Sequence, residues 1–240
     1  MTLENQGLDL SPINSGGDDS VLAAIWRKIL RDLDADESAL YDRIERLAEK
    51  VTKEHPEKAS QIRGNLRTDI AKSAMTWFTF KKVLRVIDTQ YFEMEFNLTH
   101  LNGKSKHTLR VTLDDNFLEK ESDKPSDLST FFRQIQYDLG IGITKYEELL
   151  ESYMRREKLV VDLRNKTNVR GYLKKDFSSP KMTWRTFMKT LVFLCVIRAE
   201  IKITLTNSRG SVSSHSYTIL LGDLEDYLEE MRRERNDFGI

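Results

Sequence analysis

The chain has few of the residues that mark disulfide-rich, metal-binding or membrane-spanning proteins. Its 240 residues include one cysteine, four prolines and four histidines. The single cysteine, Cys195, excludes an intrachain disulfide and a cysteine-rich zinc site. The longest strongly apolar run covers only residues 191–197, whereas crossing a bilayer takes about 20 residues. The acidic, polar N-terminus lacks the pattern of a signal peptide. We therefore expect the protein to lie in the cytoplasm, either of its host or of a virus-infected cell.

Motifs that carry chemistry are also missing. The sequence contains no phosphate-binding loop, no dinucleotide fingerprint, no zinc-protease motif and no nucleophile elbow. The four histidines are too scattered along the sequence to suggest a cluster of metal ligands. The sequence therefore predicts a protein that is not an enzyme and that uses no cofactor and no metal.

The formal net charge is zero, but the charge is unevenly distributed. Residues 128–223 carry 16 bases and nine acids, a net charge of +7, and residues 20–115 carry 17 bases and 15 acids, a net charge of +2. The remaining segments, 1–19, 116–127 and 224–240, are acidic, with net charges of −4, −2 and −3. This asymmetry suggests an anionic partner for the basic second region, although an ordinary solvated surface would give the same pattern.

What the sequence does contain is an internal repeat. Fifteen of the 41 positions between 63 and 103 hold the same residue type 107 positions later, where random pairing would give roughly two or three. In the first copy the matching residues are Arg63, Gly64, Leu66, Asp69, Met75, Thr76, Trp77, Thr79, Phe80, Lys82, Leu84, Glu93, Leu98, Thr99 and Gly103.

The repeat predicts the fold class. Apolar residues at helical spacing indicate two helices, over about 21–33 and 40–51, and a third that begins at an N-cap, Thr76. Two strands of alternating apolar and polar residues follow, joined by an Asn102-Gly103 turn. The second copy repeats this order, with Thr183 as the cap. We therefore predict an α+β fold that is an internal tandem duplication of a helix–helix–helix–β-hairpin module with pseudo-two-fold symmetry. Since a lone hairpin is marginal, its apolar face must pack on the helices or on the other hairpin. One hypothesis is that both hairpins pair into one four-stranded sheet, which the sequence leaves open.

Five segments follow from this interpretation. Residues 1–19 form a disordered acidic segment, 20–115 the first repeat, 116–127 a polar linker, 128–223 the second repeat and 224–240 a C-terminal amphipathic helix. Each repeat has about 100 residues, enough to bury its own core. The apolar stripe of the C-terminal helix, formed by Leu224, Leu228 and Met231, is a candidate surface for a protein partner.

Several residues shared by the copies have both a functional and a structural interpretation. Trp77 and Trp184 could stack on nucleic-acid bases, but they share a helical face with other apolar residues and are expected in the core. His107 and His215 open the returning strand of each hairpin. They could contact a phosphate or a partner, and we prefer a shared structural hydrogen bond at the hairpin end.

Two further matched pairs have mainly structural interpretations. The Arg-Gly pairs at 63–64 and 170–171 are expected to form a shared turn in which glycine supplies an unusual backbone angle. Glu93 and Glu200 could share a proton or a metal, but without a supporting loop motif we expect surface salt bridges.

The pattern that says most about function is the placement of lysine and arginine residues. Bases on the third helix of each copy and at the hairpin tips resemble the way a winged-helix domain presents a helix and a wing to DNA. The connection of about 20 residues before the third helix is longer than a helix-turn-helix needs. We predict a non-catalytic nucleic-acid-binding accessory or regulatory protein. The alternative is a protein adaptor or assembly component, for example of a viral particle. The candidate nucleic-acid-binding residues are Lys81, Lys82, Arg85, Lys104, Lys106, Arg185, Lys189 and Arg209.

Overall fold

A computed structural model describes residues 9–10, 19–53, 56–100, 103–113, 125–157, 159 and 166–221. Within these residues the fold is α+β, with eight α-helices and five strands. The helices are α1 (Asp19–Asp32), α2 (Glu37–Val51), α3 (Ala59–Ile70), α4 (Trp77–Val86), α5 (Asp127–Asp138), α6 (Ile143–Arg156), α7 (Lys166–Phe177) and α8 (Trp184–Phe193), and a 3₁₀ turn covers Pro56–Lys58. The strands are β1 (Asp9–Leu10), β2 (Thr89–His100), β3 (Gly103–Thr112), β4 (Val196–Asn207) and β5 (Val212–Leu220). Of the described helices, none is long and apolar enough to cross a bilayer.

Helices α4 and α8 begin in the same way. The hydroxyl of Thr76 accepts a hydrogen bond from the backbone N–H of Thr79 at 3.1 Å, and the hydroxyl of Thr183 accepts one from Thr186 at 3.1 Å. Each cap satisfies an N–H group that the first helical turn would otherwise leave without a partner. The prediction of both N-caps is confirmed.

The segment before each of these capped helices is itself helical, which the sequence analysis missed. Helix α3 buries Ile62 and Leu66, and α7 ends at the buried Phe177. The Arg-Gly pairs at 63–64 and 170–171 therefore lie inside helices, and the prediction that they form turns is wrong. Interior glycine costs a helix only about 1 kcal/mol, so packing of the apolar face can override it. Among the residues that the structure describes, each half, within 19–113 and 125–221, has four α-helices before its hairpin instead of three.

The two hairpins pair through their first strands, so the hypothesis of one sheet built from both hairpins, which the sequence left open, is confirmed. Strands β2 and β4 run antiparallel, and their paired residues extend from Thr89 and Asn207 at one end to His100 and Val196 at the other. The strand order is β1-β5-β4-β2-β3. The four hairpin strands form an antiparallel sheet, and β1, from the segment predicted to be disordered, adds two residues in parallel to β5.

One face of the sheet is buried and the other is open. In β2 every second residue from Phe92 to Leu98 is buried, and β4 buries Ile201, Ile203 and Leu205 in the same way. Since side chains alternate between the faces of a strand, the polar residues between them share the open face. The helices cover the buried face.

The two halves share one hydrophobic core. Helix α5 of the second half packs against β3 of the first, and α1 of the first half packs against β5 of the second. Buried residues of both halves belong to one continuous cluster, with Trp77 and Trp184 inside it. The expectation that each repeat buries its own core is therefore wrong, because each hairpin packs on a helix of the other half.

Candidate interaction surfaces

Each hairpin is tied to a helix of the opposite half by a histidine and an aspartate. Nδ1 of His107 in β3 lies 3.1 Å from Oδ2 of Asp138 at the end of α5. Nδ1 of His215 in β5 lies 2.7 Å from Oδ2 of Asp32 at the end of α1. Both imidazoles are buried, so the preferred prediction of a shared structural hydrogen bond is confirmed. The sequence did not reveal the acceptors, because they belong to the other half.

Each histidine also meets a serine of its own strand. Nε2 of His107 lies 3.0 Å from Oγ of Ser105, and Nε2 of His215 lies 3.2 Å from Oγ of Ser213. We call Ser105, His107 and Asp138 the first clamp, and Ser213, His215 and Asp32 the second clamp.

The second clamp lies in a partly buried, charged environment. Burial alone would raise the pKa of Asp32, but hydrogen bonds from His215 and Lys28 outweigh it and hold that pKa below its ordinary value. Burial, aided by the charge of Asp32, raises the pKa of Tyr217, whose hydroxyl donates to the carbonyl of Ile25 at 3.4 Å. The carboxylate therefore stays ionised, and the tyrosine stays neutral, at physiological pH.

The Asp–His–Ser order is the one that serine hydrolases use to activate a nucleophile. Here both imidazoles are buried between a hairpin and a helix, and Oγ of Ser105 also lies 2.7 Å from Nε2 of His100. We interpret both clamps as joints between the halves. No group of three or more His, Cys, Asp or Glu side chains is placed to hold a metal ion within the described part of the chain.

Two of the predicted nucleic-acid-binding residues on α4 form internal ion pairs. Nζ of Lys81 lies 2.8 Å from Oδ2 of Asp127, at the start of α5. Nζ of Lys82 lies 3.7 Å from Oδ2 of the buried Asp69 in α3. Both lysines are partly buried, so this part of α4 faces neighbouring helices and not open solvent.

The third predicted residue of α4, Arg85, does not lie on an outer face. Its side chain is buried, and Nη1 donates to the backbone oxygen of Thr89 at 2.7 Å. The prediction of an exposed basic helix face is wrong at this position. Helical spacing placed Arg85 opposite the apolar stripe, but α4 packs against α1, α2, α3 and β2 of its own half, and Arg85 is buried there.

The remaining predicted residues are distributed over three surfaces. On α8, Arg185 is exposed and Lys189 is partly buried. Lys104 and Lys106 are exposed on β3, and Arg209 is exposed in the turn between β4 and β5. The structure therefore does not bring the eight candidates together into one basic patch.

The two hairpin tips lie at opposite ends of the sheet. The end of β2 pairs with the start of β4, and the start of β2 pairs with the end of β4. Because a strand of 12 residues spans roughly 40 Å, Lys104 and Arg209 cannot contact one short segment of a duplex groove together. This geometry differs from a winged-helix arrangement, in which helix and wing meet the same DNA segment.

The open face of the sheet carries a mixed set of charges. Three ion pairs lie on it: Lys106–Glu95 at 2.7 Å, Arg110–Glu93 at 3.3 Å and Arg198–Glu200 at 2.9 Å. They agree with the prediction of surface salt bridges for Glu93 and Glu200. The hydrogen bond from Lys106 is the main reason that the pKa of Glu95 lies below its ordinary value. The other cations of this face are Lys104 and Lys202.

Sequence analysis missed a set of exposed apolar side chains in the second half. Of the side chains described there, the four most exposed are Tyr137 (83%), Ile143 (85%), Tyr172 (71%) and Val212 (63%). A comparison of the two copies of the repeat could have revealed these exposed residues. At the positions 106, 107 or 108 residues earlier, the first half has charged or polar residues: Arg31, Glu37, Asn65 and Lys104.

The predicted partner-binding residues of the C-terminal helix, Leu224, Leu228 and Met231, lie outside the described residues. Comparison with known proteins finds no matching family model, no matching curated protein and no matching solved structure.

Proposed function

We propose that this protein is a non-catalytic adaptor that binds a protein partner through exposed apolar side chains of its second half. The observation that carries the proposal is the exposure of Tyr137 and Ile143, which are 83% and 85% accessible to solvent. They flank the turn between α5 and α6, and we call this pair the apolar corner. Clusters of apolar side chains on a surface mark protein-binding sites, where tyrosine is enriched.

The corner is held in a fixed conformation. The N–H of Gly140 donates to the carbonyl of Tyr137 at 3.0 Å, and the N–H of Ile141 donates to Gln136 at 2.9 Å. Gly140 has a φ of +63°, which glycine adopts without strain. Asp138, beside the corner, is fixed by the first clamp. A partner would therefore meet a preorganised surface, which reduces the entropy cost of binding.

The first half builds the same turn with a different surface. The N–H of Asp34 donates to Arg31 at 3.1 Å, and the N–H of Ala35 donates to Leu30 at 3.0 Å. These are the hydrogen bonds of the apolar corner, 106 positions earlier. Here, however, the residues that match Tyr137 and Ile143 are Arg31 and Glu37. At these two positions the difference lies at the surface, because Arg31 and Glu37 are exposed as well. This supports a partner specific to the second half.

We infer that the two halves arose by tandem duplication. The matched caps, turns and clamps support this inference. So does the sheet, because Glu95 and Lys202 are cross-strand partners and are also 107 positions apart, the offset of the sequence repeat. That coincidence is expected of a pseudo-two-fold axis passing between them. Duplication leaves a common scaffold in which one copy can acquire a binding surface and the other can keep a charged one.

The experiment exchanges the corner residues between the halves. In the variant Tyr137→Arg with Ile143→Glu, the corner receives the residues of the first half. The matched control, Arg31→Tyr with Glu37→Ile, changes the equivalent turn. Proteins that co-purify from the native source are quantified by mass spectrometry, and circular dichroism checks the fold. We expect a defined partner to be lost from the corner variant and retained by the control. An unchanged set of bound proteins would contradict the proposal.

Nucleic-acid binding is the second candidate function, and one observation favours it. The open face of the sheet carries five cations and three carboxylates, namely Lys104, Lys106, Arg110, Arg198 and Lys202 against Glu93, Glu95 and Glu200. Binding to DNA and to RNA is measured at two salt concentrations, because phosphate contacts weaken steeply with salt. Charge reversal of Lys104 and Arg198 should abolish nucleic-acid binding. Charge reversal of Arg185 and Lys189 tests the basic helix face that the sequence predicted. No binding at low salt would exclude this function.

A further inference from the structure

Four side chains form a chain of hydrogen bonds where the first hairpin meets α5. Ser105 lies at its centre, with Oγ 2.7 Å from Nε2 of His100 and 3.0 Å from Nε2 of His107. The outer ends of the chain are acceptors. Nδ1 of His100 lies 3.3 Å from the carbonyl oxygen of Leu194, and Nδ1 of His107 lies 3.1 Å from Oδ2 of Asp138.

The acceptors at the ends determine where the protons lie. A carbonyl oxygen cannot donate, so Nδ1 of His100 carries a proton. Burial, reinforced by the neighbouring His107, lowers the pKa of His100, so its ring is neutral and Nε2 is an acceptor. The single hydroxyl proton of Ser105 is therefore donated to His100.

His107 must then supply the remaining hydrogen bond. Because the proton of Ser105 points to His100, Oγ of Ser105 can only accept from His107, so Nε2 of His107 carries a proton. Nδ1 of His107 faces the carboxylate of Asp138 and carries a proton as well. All the hydrogen bonds of the cluster form together only when the ring of His107 has both protons.

We propose that His107 is held as an imidazolium at neutral pH, and that its second proton acts as a latch between the first hairpin and α5. The groups that face it are Asp138 from α5, Ser105 from β3 and His100 from β2. The other oxygen of Asp138 accepts from Gln134 at 2.6 Å. Loss of the proton leaves two acceptor nitrogens for the one hydroxyl proton of Ser105, which weakens the joint between the halves.

The second clamp is a natural control, because it lacks the second histidine. Asn207 stands where the repeat places the equivalent of His100, and its side-chain oxygen accepts from the backbone N–H groups of Arg209 and Ser211 at 2.9 Å. Ser213 can therefore donate its hydroxyl proton to His215. A neutral His215 then satisfies the second clamp, and the two clamps differ by one proton.

The test is a nitrogen-15 spectrum of the imidazoles in the full chain at about pH 7.5, about one unit above the ordinary pKa of histidine. Single histidine variants assign the signals. We expect two protonated ring nitrogens in His107 and one, Nδ1, in His100 and in His215. A singly protonated His107 in the wild-type protein would overturn the proposal.

The variant His100→Phe tests whether the hydrogen-bond network is what keeps His107 doubly protonated. Without the acceptor of His100, Ser105 can donate to His107, so the ratio of doubly to singly protonated His107 should fall by about tenfold, the equivalent of one hydrogen bond. Ser105→Ala should act in the same direction and serves if His100→Phe fails to fold. The control Ser213→Ala should leave the His107 signals unchanged. If His107 keeps both protons in His100→Phe and in Ser105→Ala, the hydrogen-bond network is not what holds the proton, and the proposal is wrong.

Discussion

Trp77 and Trp184 stack on each other at the centre of the molecule, with ring centroids 5.7 Å apart and planes inclined by 12°. Each opens the capped helix of its own half, so the contact joins equivalent positions of the two halves. The indoles differ in their polar contacts. Nε1 of Trp77 donates to Asp127 at 3.2 Å, whereas Nε1 of Trp184 has no hydrogen-bond partner among the described residues.

This difference predicts unequal costs for the same substitution. Trp77→Phe and Trp184→Phe remove similar volumes from the shared core, but only Trp77→Phe breaks a hydrogen bond. We expect Trp77→Phe to lower the free energy of unfolding by about 1 kcal/mol more than Trp184→Phe does. Denaturant unfolding followed by circular dichroism measures both. Equal costs, or a larger cost for Trp184→Phe, would contradict the assigned hydrogen bond.

The sequence predicted the parts of the fold that depend on local pattern. The caps at Thr76 and Thr183, the alternation of β2 and the pairing of the hairpins followed from spacing and from the need to cover strand edges. The packing of each hairpin on a helix of the other half could not be predicted in this way, because no local pattern reveals which helix a buried His107 will contact. The exposure of Arg85 was also predicted wrongly, since helical spacing gives the direction of a side chain but not what encloses it.

Glycine substitutions test the helices that the sequence analysis missed. Gly64 lies inside α3 and Gly171 inside α7, and a Cβ at either position would meet nothing within 4 Å. Alanine should therefore raise the free energy of unfolding by about 0.5 to 1 kcal/mol at each site. Gly140→Ala is the control, and it should destabilise because of the positive φ at that turn. Destabilisation by Gly64→Ala would instead favour the turn that the sequence predicted.

Arg85 provides a test of the corrected helix face. Its guanidinium is buried and donates to the carbonyl oxygen of Thr89. Arg85→Ala should lower the free energy of unfolding by about 2 kcal/mol, because a charged hydrogen bond is lost and a buried acceptor is left without it. The matched change Arg185→Ala on the exposed side of α8 should cost less than about 0.5 kcal/mol. Chemical denaturation measures the free energy of unfolding of both variants. A small loss in both would support the exposed basic helix face that the sequence predicted.

The second clamp predicts a loss of stability in acid. The pKa of Asp32 is lowered in the folded protein, since hydrogen bonds from His215 and Lys28 outweigh the effect of burial. A carboxyl group with a lowered folded pKa stabilises the fold above its unfolded pKa, near 3.8, and that contribution disappears as the pH falls through the folded value. The free energy of unfolding should therefore decrease between about pH 5 and pH 3.

The variant Asp32→Asn isolates this contribution. It keeps the shape of the side chain but cannot ionise, so the fold should be less stable at neutral pH and its acid dependence should be shallower than in the wild-type protein. Asp34→Asn, two residues further along and outside the clamp, should leave both quantities nearly unchanged, because asparagine tolerates the positive φ of 47° at that position. Urea unfolding across this pH range measures the slopes. An acid dependence in Asp32→Asn as steep as that of the wild-type protein would mean that other carboxylates, and not the second clamp, make the fold sensitive to acid.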